Sequence, residues 1–283
     1  MSRIGRALVC FSLAFSSVMC YALCMEFNDV KDVAVYGTDC IVDVRRGNTA
    51  QAEIVSAKEK YFDVKLDNGT LTVTQKSRNL FSRIIMPHIE LKLILPQTFR
   101  GKLRLRNKNG GLYLQGGEFG SVELSTKNGK YDVSDLSCDK LAIKMSNGNI
   151  TVKKVNVATG ASIKCSNGSV RVESVTTPEL GVSCANATLT VIDVNAKKLD
   201  CCTSNGAIDA SGIGADELRL ETSNGRIIAA PIGERDEYKL TAETSNGKLT
   251  VDGAEYKKLA DVARLTKRLS AKTANGDIDI RFV

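Results

Sequence analysis

The segment 201–210 reads Cys-Cys-Thr-Ser-Asn-Gly-Ala-Ile-Asp-Ala, and it is one copy of a unit that repeats through most of the chain. In general form the unit is apolar-x-apolar-x-Thr/Cys-x-Asn-Gly-x-apolar-x-apolar. Its asparagine falls at positions 109, 128, 147, 167, 186, 205, 224, 246 and 275, in steps of 19, 19, 20, 19, 19, 19, 22 and 29 residues. A period sustained near 19 residues indicates a solenoid.

Apolar residues alternate on both sides of each Asn-Gly pair. Around Asn205 they are Leu199 and Cys201 before the pair, and Ile208 and Ala210 after it. Period two is typical of strands, and its parity shifts by one across Asn-Gly, as at a corner that keeps both strands facing inward. Asn-Gly could also close a hairpin, but an equal spacing favours pairing between equivalent strands of successive coils. The sequence therefore predicts an all-β parallel β-solenoid, or β-helix, with coils of about 19 residues.

The asparagines are expected to form a ladder along one edge, because each side-chain amide can bond to the next coil's amide. We interpret this ladder as architecture rather than as a binding site. Glycine at the corner is expected to supply a positive φ. Alanine replaces that glycine after Asn186. If Ala187 has a positive φ, Ala187→Gly should raise the melting temperature, whereas Gly206→Ala should lower it.

The chain begins with a pattern typical of a secretory signal peptide. A short basic region at 2–6 precedes an apolar run at 7–24, with small residues placed for cleavage before Met25. An uncleaved anchor is the alternative, since about 18 residues can just span a bilayer. We expect an exported protein, secreted or in the cell envelope. Its predicted divisions are a leader at 1–24, irregular N-terminal β coils at 25–100 that act as a cap, and regular solenoid repeats at 101–283.

The repeat is less regular toward the N-terminus. Segment 62–73 matches the unit at every position, with Asn68-Gly69 as its corner, whereas the copy around Asp39 matches only loosely. Irregular coils are expected there, because terminal repeats must cover the open end of a solenoid. The single histidine, His88, follows an expected loop at 76–87.

An insertion separates the last two copies of the unit. Its residues 255–265 have an apolar spacing that predicts a short helix. The final coil in sequence runs from Leu269 to Ile280, and as the last of the stack it would leave an unpaired strand edge. We expect the insertion to fold back over that edge as a cap. A monomer is then favoured over end-to-end association.

Three features together resemble a known family. They are the strand-loop-strand opening, the stretch Ile-Glu-Leu-Lys-Leu-Ile-Leu-Pro at 89–96, and the train of Thr/Cys-Ser-Asn-Gly coils. They resemble the bacterial putative-adhesin family, a domain of unknown function, over residues 26–283. The resemblance implies a β-helical fold in envelope or secreted proteins and no particular biochemical activity. Some related proteins are similar in arrangement to envelope-stress regulators. One departure is Asn186-Ala187, where the glycine is lost.

The cysteines do not have the spacing of a metal site. There is no Cys-x-x-Cys, and one histidine cannot complete the usual zinc sites, so neither a metal nor a cofactor is predicted. Cys165 and Cys184 hold the same position in adjacent coils and are expected to stack inside. Parallel side chains fit the dihedral angle of a disulfide poorly, which favours buried thiols. Alternation points Cys201 inward and Cys202 outward.

Some β-helices are enzymes, so an enzymatic function is one class to weigh. A polysaccharide-acting site needs paired carboxylates on one outer strand. The outward carboxylates Asp132 and Asp209 are four coils apart, about 19 Å by the coil spacing, which is too far for joint action. A Ser-His-Asp site would depend on His88 alone. The glycine-rich nonapeptide of calcium-loaded β-rolls is absent. The sequence therefore favours a non-enzymatic protein.

Four outward cations on one strand form the most distinctive surface feature: Lys102, Arg104, Arg106 and Lys108. They can be an ordinary charged face that discourages edge pairing, or a dock for an anionic envelope polymer or a membrane surface. The formal net charge is +7, but no basic block is dense enough to predict nucleic-acid binding. Two functions stay open. One is a solenoid that presents a repetitive surface to a glycan, peptide or protein, and the other is a regulatory module that senses envelope stress.

Overall fold

The computed structural model describes residues 7–8, 23–48, 52–56, 61–77, 89–261 and 265–283. The chain divides into two compact units, Met1–Cys138 and Asp139–Val283. Most of the expected leader, and the loop that precedes Ile89 together with His88, lie outside the described residues. The leader and the three-part division of the chain therefore stay predictions.

Both units consist almost entirely of β-strands. The first unit contains β1 (Ala7–Leu8), β2 (Leu23–Phe27), β3 (Asp32–Tyr36), β4 (Cys40–Gly47), β5 (Ala52–Ser56), β6 (Phe62–Asp67), β7 (Thr70–Gln75), β8 (Ile89–Pro96) and β9 (Lys102–Arg106). The long β10 (Leu112–Asn205) begins in the first unit and continues into the second. It comprises the strands of several successive coils. The second unit continues with β11 (Ile208–Asn224), β12 (Ile227–Pro231), a 3-10 turn (Arg235–Glu237), β13 (Tyr238–Asn246), β14 (Leu249–Val251), β15 (Ala254–Tyr256), β16 (Lys258–Ala260), β17 (Lys267–Asn275) and β18 (Ile278–Ile280).

Successive coils pair in parallel at the spacing of the repeat. In the second unit Leu189 lies opposite Ile208, and in the first unit Leu103 lies opposite Val122. All four side chains are fully buried. Stacked coils share this apolar interior, which no single coil could enclose. The predicted parallel β-solenoid is confirmed.

The asparagine ladder is also confirmed within each unit. In the second unit the amides bond from coil to coil at 2.7–2.9 Å, in the order Asn147, Asn167, Asn186, Asn205, Asn224, Asn275 and Asn246. In the first unit Asn128 donates to Asn109 at 2.7 Å, and Asn109 donates to the carboxylate of Asp39 at 2.8 Å. An ionised carboxylate only accepts hydrogen bonds, so Asp39 is suited to the acceptor end of the ladder.

Threonine two residues before the asparagine has a definite task at the corner. The Oγ1 of Thr222 donates to the carbonyl of Gly206 at 3.1 Å, and that of Thr273 donates to the carbonyl of Gly225 at 3.0 Å. Each bond satisfies a backbone acceptor inside the turn, which stabilises by about 1 kcal/mol. Cys165 makes only a longer contact of 3.9 Å at the equivalent place, because a thiol is a weak donor.

The corner glycine is required by a close approach between coils. A Cβ on Gly206 would lie 2.1 Å from the carbonyl oxygen of Ala187, and one on Gly225 would lie 2.0 Å from that of Gly206. Gly168 also has the positive φ that was expected, +134°. Ala187 does not have a positive φ. The premise of the Ala187→Gly prediction is therefore wrong, since this coil turns without the left-handed backbone.

The left-handed backbone recurs at a second corner that the sequence did not reveal. It lies seven residues after the ladder asparagine, where Asp135, Lys154, Ser174 and Asp193 have φ between 51° and 56° and Gly212 has 64°. Aspartate tolerates this region better than lysine or serine does. No single residue type marks the position, which is why the repeat pattern did not expose it.

The first coil in sequence is not the first coil of its stack. β3 lies between β7 and β9, and β4 lies between β8 and the start of β10, all in parallel. The outer edges of β7 and β8 are covered by the antiparallel strands β6 and β5. The irregular N-terminal strands thus cover the backbone groups at this end of the first unit.

One N-terminal match to the repeat is wrong. Asn68-Gly69 closes a hairpin between β6 and β7, with Asp67 opposite Thr70. Its φ values of 48° and 79° are those of a two-residue hairpin turn. The looser match around Asp39 is the coil corner, because Asp39 pairs with Asn109 in the ladder.

The final coil in sequence is likewise not at the end of its stack. β17 lies between β11 and β13, and β18 lies between β12 and β14. The coil at 238–251 is therefore outside the coil at 267–280. The unpaired edge that we expected on the final coil is wrong, because both of its strands have partners on each side.

The insertion forms strands rather than a helix. β15 pairs antiparallel with β14, and β16 pairs antiparallel with β13. The predicted helix is wrong over 255–260, while residues 262–264 lie outside the described part of the chain. Strands supply the backbone hydrogen bonds that an open sheet edge needs, which a helix does not. The insertion thus covers an end as expected, but the end of the coil at 238–251.

Cys165, Cys184, Cys201 and Cys202 are free thiols. Cys165, Cys184 and Cys201 are buried and Cys202 is half-buried, as alternation predicts. A hydrogen bond with Cys184 lowers the pKa of Cys165 to about 7 against the effect of burial. The same bond, together with burial, raises the pKa of Cys184.

Candidate functional site

The four predicted cations lie on one face of the first unit. Lys102, Arg104 and Arg106 are exposed on β9, between the buried Leu103 and Leu105. Lys108 follows on the same strand path and is also exposed. We call Lys102, Arg104, Arg106 and Lys108 the cationic strip. Alternation alone places these side chains outward, so the strip is where the sequence predicted it.

One cation of the strip is paired. Arg104 Nε lies 2.8 Å from Oε2 of Glu123 in the next coil. The hydrogen bond to Glu123 raises the pKa of Arg104, and the hydrogen bond from Arg104 lowers the pKa of Glu123. Both side chains are about half exposed, so this pair adds little to stability. It does neutralise the middle of the strip.

The other end of the strip keeps its charge. Within the described residues, Arg106 and Lys108 form no ion pair at 4.0 Å or less. Lys127 is exposed beside Lys108, since its N–H donates to the Lys108 carbonyl at 3.2 Å, and it too forms no ion pair with a described residue. Arg106 faces Ser125 across the same two strands. Three cations therefore adjoin, and the carboxylate near them, Glu123, is hydrogen-bonded to Arg104. Like-charge neighbours are unfavourable unless an anion is bound.

Lys127 was missed in the sequence, although a signal for it existed. It lies 19 residues after Lys108 and holds the same position before the ladder asparagine. The strip is evident along a single strand. Its extension to Lys127 is evident only across coils, at the repeat spacing.

A groove crosses five coils of the second unit. Its volume is about 490 Å³, within the range of ligand sites. In each coil, the groove is lined by the short segment that follows the second corner, the left-handed position seven residues after the ladder asparagine. Its lining consists of Asn156, Val157, Ala158, Thr176, Thr177, Pro178, Asn195, Ala196, Lys197, Gly214, Ala215, Asp216, Ile232, Tyr238 and Lys267. The sequence did not predict this groove, because many of its lining residues are small and lie at positions where the repeat unit specifies nothing.

One end of the groove is closed by an aromatic residue. Tyr238 is buried, and its hydroxyl donates to the carbonyl of Ile232 at 2.8 Å. The Lys267 ammonium lies 5.1 Å from the centre of the Tyr238 ring and is paired with Glu237. This ion pair lowers the pKa of Glu237 and raises that of Lys267. The end wall is therefore apolar at its base and charge-balanced at its rim.

The two carboxylates weighed for catalysis belong to different units of the chain. Asp132 lies 3.6 Å from Lys130, and Asp209 is half-buried on its own strand. The thiol of Cys202 donates to Asp200 at 3.0 Å, and burial together with this bond raises its pKa to about 12. In the described ranges there is no cluster of three or more His, Cys, Asp and Glu side chains that could hold a metal. None of the helices described there has the length and apolar character to cross a membrane.

Three solved structures that resemble the chain are distant from it in sequence. A putative adhesin from Parabacteroides distasonis has 10% identity and a TM-score of 0.47, covering 93% of this chain and 96% of its own. A putative adhesin from Parabacteroides merdae has 12% identity and a TM-score of 0.45, with 93% and 95% covered. One from Bacteroides fragilis has 9% identity and a TM-score of 0.35, with 93% and 96% covered. At these values no function is transferred.

The comparison with family models is decisive for classification. No curated protein matches the chain in sequence. The model of the Toastrack DUF4097 family matches residues 30–281, which include all the coils and both end caps. With its corner asparagines stacked in ladders and its strands paired coil to coil, the chain belongs to the Toastrack DUF4097 family.

Proposed function

We propose that this chain is a non-enzymatic binding protein of the adhesin type, exported to the cell surface or envelope. In this proposal the cationic strip and Lys127 hold an anionic envelope polymer. The observation that carries it is the unpaired group formed by Arg106, Lys108 and Lys127 on adjacent strands. A bound anion would relieve the repulsion between these cations.

The shape of the strip favours a polymer over a membrane. Charges at every second residue of a strand lie about 6.6–6.8 Å apart, and a flexible polyanion can follow such a row. The apolar residues of β9, Leu103 and Leu105, are 0% and 3% exposed, so they are not available to enter a bilayer. Electrostatic attraction without apolar insertion should be strongly screened by salt.

The test is binding to immobilised poly(glycerol phosphate) at low and high salt. Arg106→Glu/Lys108→Glu should weaken binding by about tenfold or more, since two attractive contacts become repulsive. The matched control is Lys144→Glu/Lys164→Glu, which changes the net charge equally at exposed positions of the second unit. Equal losses in the two variants would contradict the strip as the site. Wild-type binding to anionic vesicles but not to the polymer would contradict a polymer ligand.

Export is tested separately by fractionating cells that produce the full chain. The leader pattern at 1–24 predicts recovery outside the cytosol. Recovery of the whole chain in the cytosol, with Ser2 retained, would contradict export without affecting the binding measurement.

A further inference from the structure

The groove in the second unit presents a periodic row of hydrogen-bonding side chains. Asn156, Thr176 and Asn195 each lie nine residues after a ladder asparagine, and all three are exposed. We call these three residues the amide row. Its two ends are asparagine amides, and its middle member, Thr176, supplies a hydroxyl instead. Equivalent positions of stacked coils are about 4.8 Å apart, so the row offers polar contacts at a constant interval. A ligand built from repeating units can use such a row more than once.

The lining side chains become smaller from Asn195 to the next coil. The next position of the row is Gly214, which is paired with Asn195 in the parallel ladder and has no side chain. The floor beside it is formed by Ala196 and Ala215, both buried. Beyond them Ile232, which is 51% exposed, forms part of the end wall. A ligand therefore finds polar contacts along one side and apolar surface at the base.

The charges around the groove balance. Lys197 and Asp216 hold equivalent outward positions in adjacent coils, opposite the amide row, and carry opposite signs. Lys267 at the end wall is already paired with Glu237. The groove thus has no net unpaired charge to attract an ion. Amides and hydroxyls both donate and accept hydrogen bonds, which suits a neutral ligand rich in hydroxyl groups.

A peptide fits this groove poorly. Peptides commonly bind solenoids and sheets by adding a strand to an open edge. At Asn195 the backbone that lines the groove is paired with Gly214 of the next coil, so that side of the strand cannot accept an added strand. Side chains such as that of Asn195 therefore supply hydrogen bonds to a ligand at this place.

We propose that this groove binds a neutral polysaccharide chain that lies across successive coils, with its hydroxyls bonded by the amide row. The site is distinct from the cationic strip, which belongs to the first unit. It adds a second class of ligand to a protein whose proposed function is polymer binding. It does not depend on whether the strip binds a polyanion.

Two glycines give a matched pair for the test. A Cβ on Gly214 would meet its nearest atom, Asn195 Oδ1, at 3.7 Å, which is ordinary contact, so Gly214→Leu can fill the groove without backbone strain. A Cβ on Gly181 meets nothing within 4 Å, and Gly181 does not line the groove. Gly181→Leu is therefore the control for adding the same side chain elsewhere. Asn195→Ala tests the amide row directly.

Binding would be measured by titration calorimetry with cellotetraose, chitotetraose and maltotetraose on the full chain. We expect at least one probe to bind, with affinity reduced about tenfold or more by Gly214→Leu and several-fold by Asn195→Ala. Gly181→Leu should leave it unchanged, and added salt should have little effect. Melting temperatures would show that each variant is folded.

Three results would overturn the proposal: no binding of any probe, equal binding by Gly214→Leu, or equal losses in Gly214→Leu and Gly181→Leu. Binding of poly(glycerol phosphate) by the same proteins is measured in parallel. If the polyanion binds and the neutral probes do not, the groove proposal fails while the proposed function stands. The reverse result would reject the strip and retain the groove.

Discussion

A contact between backbones fixes glycine at the corner of a coil. The carbonyl of one corner points at the Cα of the next, and the distances in the second unit leave no space for a methyl group at Gly206 or Gly225. The sequence pattern identified these glycines correctly. It assigned them to a positive φ, which is present at Gly168 but is not the shared requirement. The feature that Gly168, Gly206 and Gly225 share is the close approach of the neighbouring backbone.

Gly206→Ala should destabilise the protein by about 1–3 kcal/mol, because its Cβ would lie 2.1 Å from the Ala187 carbonyl oxygen and the coils would have to separate. Gly181→Ala is the control, since its Cβ meets nothing within 4 Å. It should be neutral or slightly stabilising through the unfolded chain. Urea unfolding of both variants measures the difference. Equal stabilities would show that the corners can move apart without cost.

Lys154→Gly should stabilise the protein. Lys154 is exposed with φ of 53°, a conformation that costs a lysine about 1–2 kcal/mol and a glycine almost nothing. Part of that gain is offset by the greater freedom of glycine in the unfolded chain, so about 0.5–1 kcal/mol should remain. Lys164→Gly, at an exposed position without positive φ, should destabilise by about 0.5–1 kcal/mol. The same sign for both changes would contradict the strained corner.

Short antiparallel strands cover the ends of both units. In the first unit β5 and β6 lie against β8 and β7, and in the second unit β16 and β15 lie against β13 and β14. The sequence could not distinguish these covers from coils or helices. Asn-Gly serves equally well in a hairpin turn and in a coil corner, and the choice depends on which strand is available as a partner. Apolar spacing over three residues likewise fits a strand or a helix.

The cover at 254–260 should loosen in acid. Asp261 accepts hydrogen bonds from the Leu240 N–H at 3.0 Å and from Arg235 at 2.7 Å, next to the end of β16. Partial burial acts to raise the pKa of Asp261, but these two partners together hold it below its ordinary value. A depressed pKa gives stability that is present above the unfolded-state value, near about 4, and is lost as the pH falls through the folded-state value.

Hydrogen exchange of the β13 amides at decreasing pH measures this loosening. Protection should fall below about pH 4 in the wild type. In Asp261→Asn it should be weaker at neutral pH and nearly independent of pH in that range, because the titrating group is gone. Unchanged protection in the variant would show that β16 is held by its backbone bonds alone.

The candidate sites differ in how far the sequence could locate them. Alternation along one strand is enough to find the cationic strip, since it depends on the inward or outward direction of each residue. Lys127 required the register between coils. The groove required the sizes of residues such as Gly214 and Ala196 at a side of the coil where the repeat unit is silent. The order of the coils along the chain also differs from their order in the stack. For example, β17 lies between β11 and β13, because coils that are not neighbours in sequence can pair.

The coil that comes last in sequence is an inner coil of its stack. Truncation after Thr266 removes β17 and β18, which lie between β11 and β13 and between β12 and β14. It therefore removes an inner coil and leaves the coil at 238–251 without its partner. Deletion of residues 234–266, joining Gly233 to Lys267, removes the outer coil and its cover instead. Lys267 lies opposite Tyr238 in the neighbouring coil. In the shortened chain, the connection from Gly233 to Lys267 therefore spans a distance similar to the one that now separates Gly233 from Tyr238.

The truncation should cost more stability than the internal deletion, although it removes fewer residues. An inner coil buries apolar side chains such as Leu269 and Ile278 against neighbours on both sides, whereas an outer coil has one such neighbour. We expect a difference of more than about 2 kcal/mol, the worth of one or two fully buried side chains. Urea unfolding and light scattering of both variants provide the measurement. If the final coil were simply the last of the stack, the truncation would instead be the milder change.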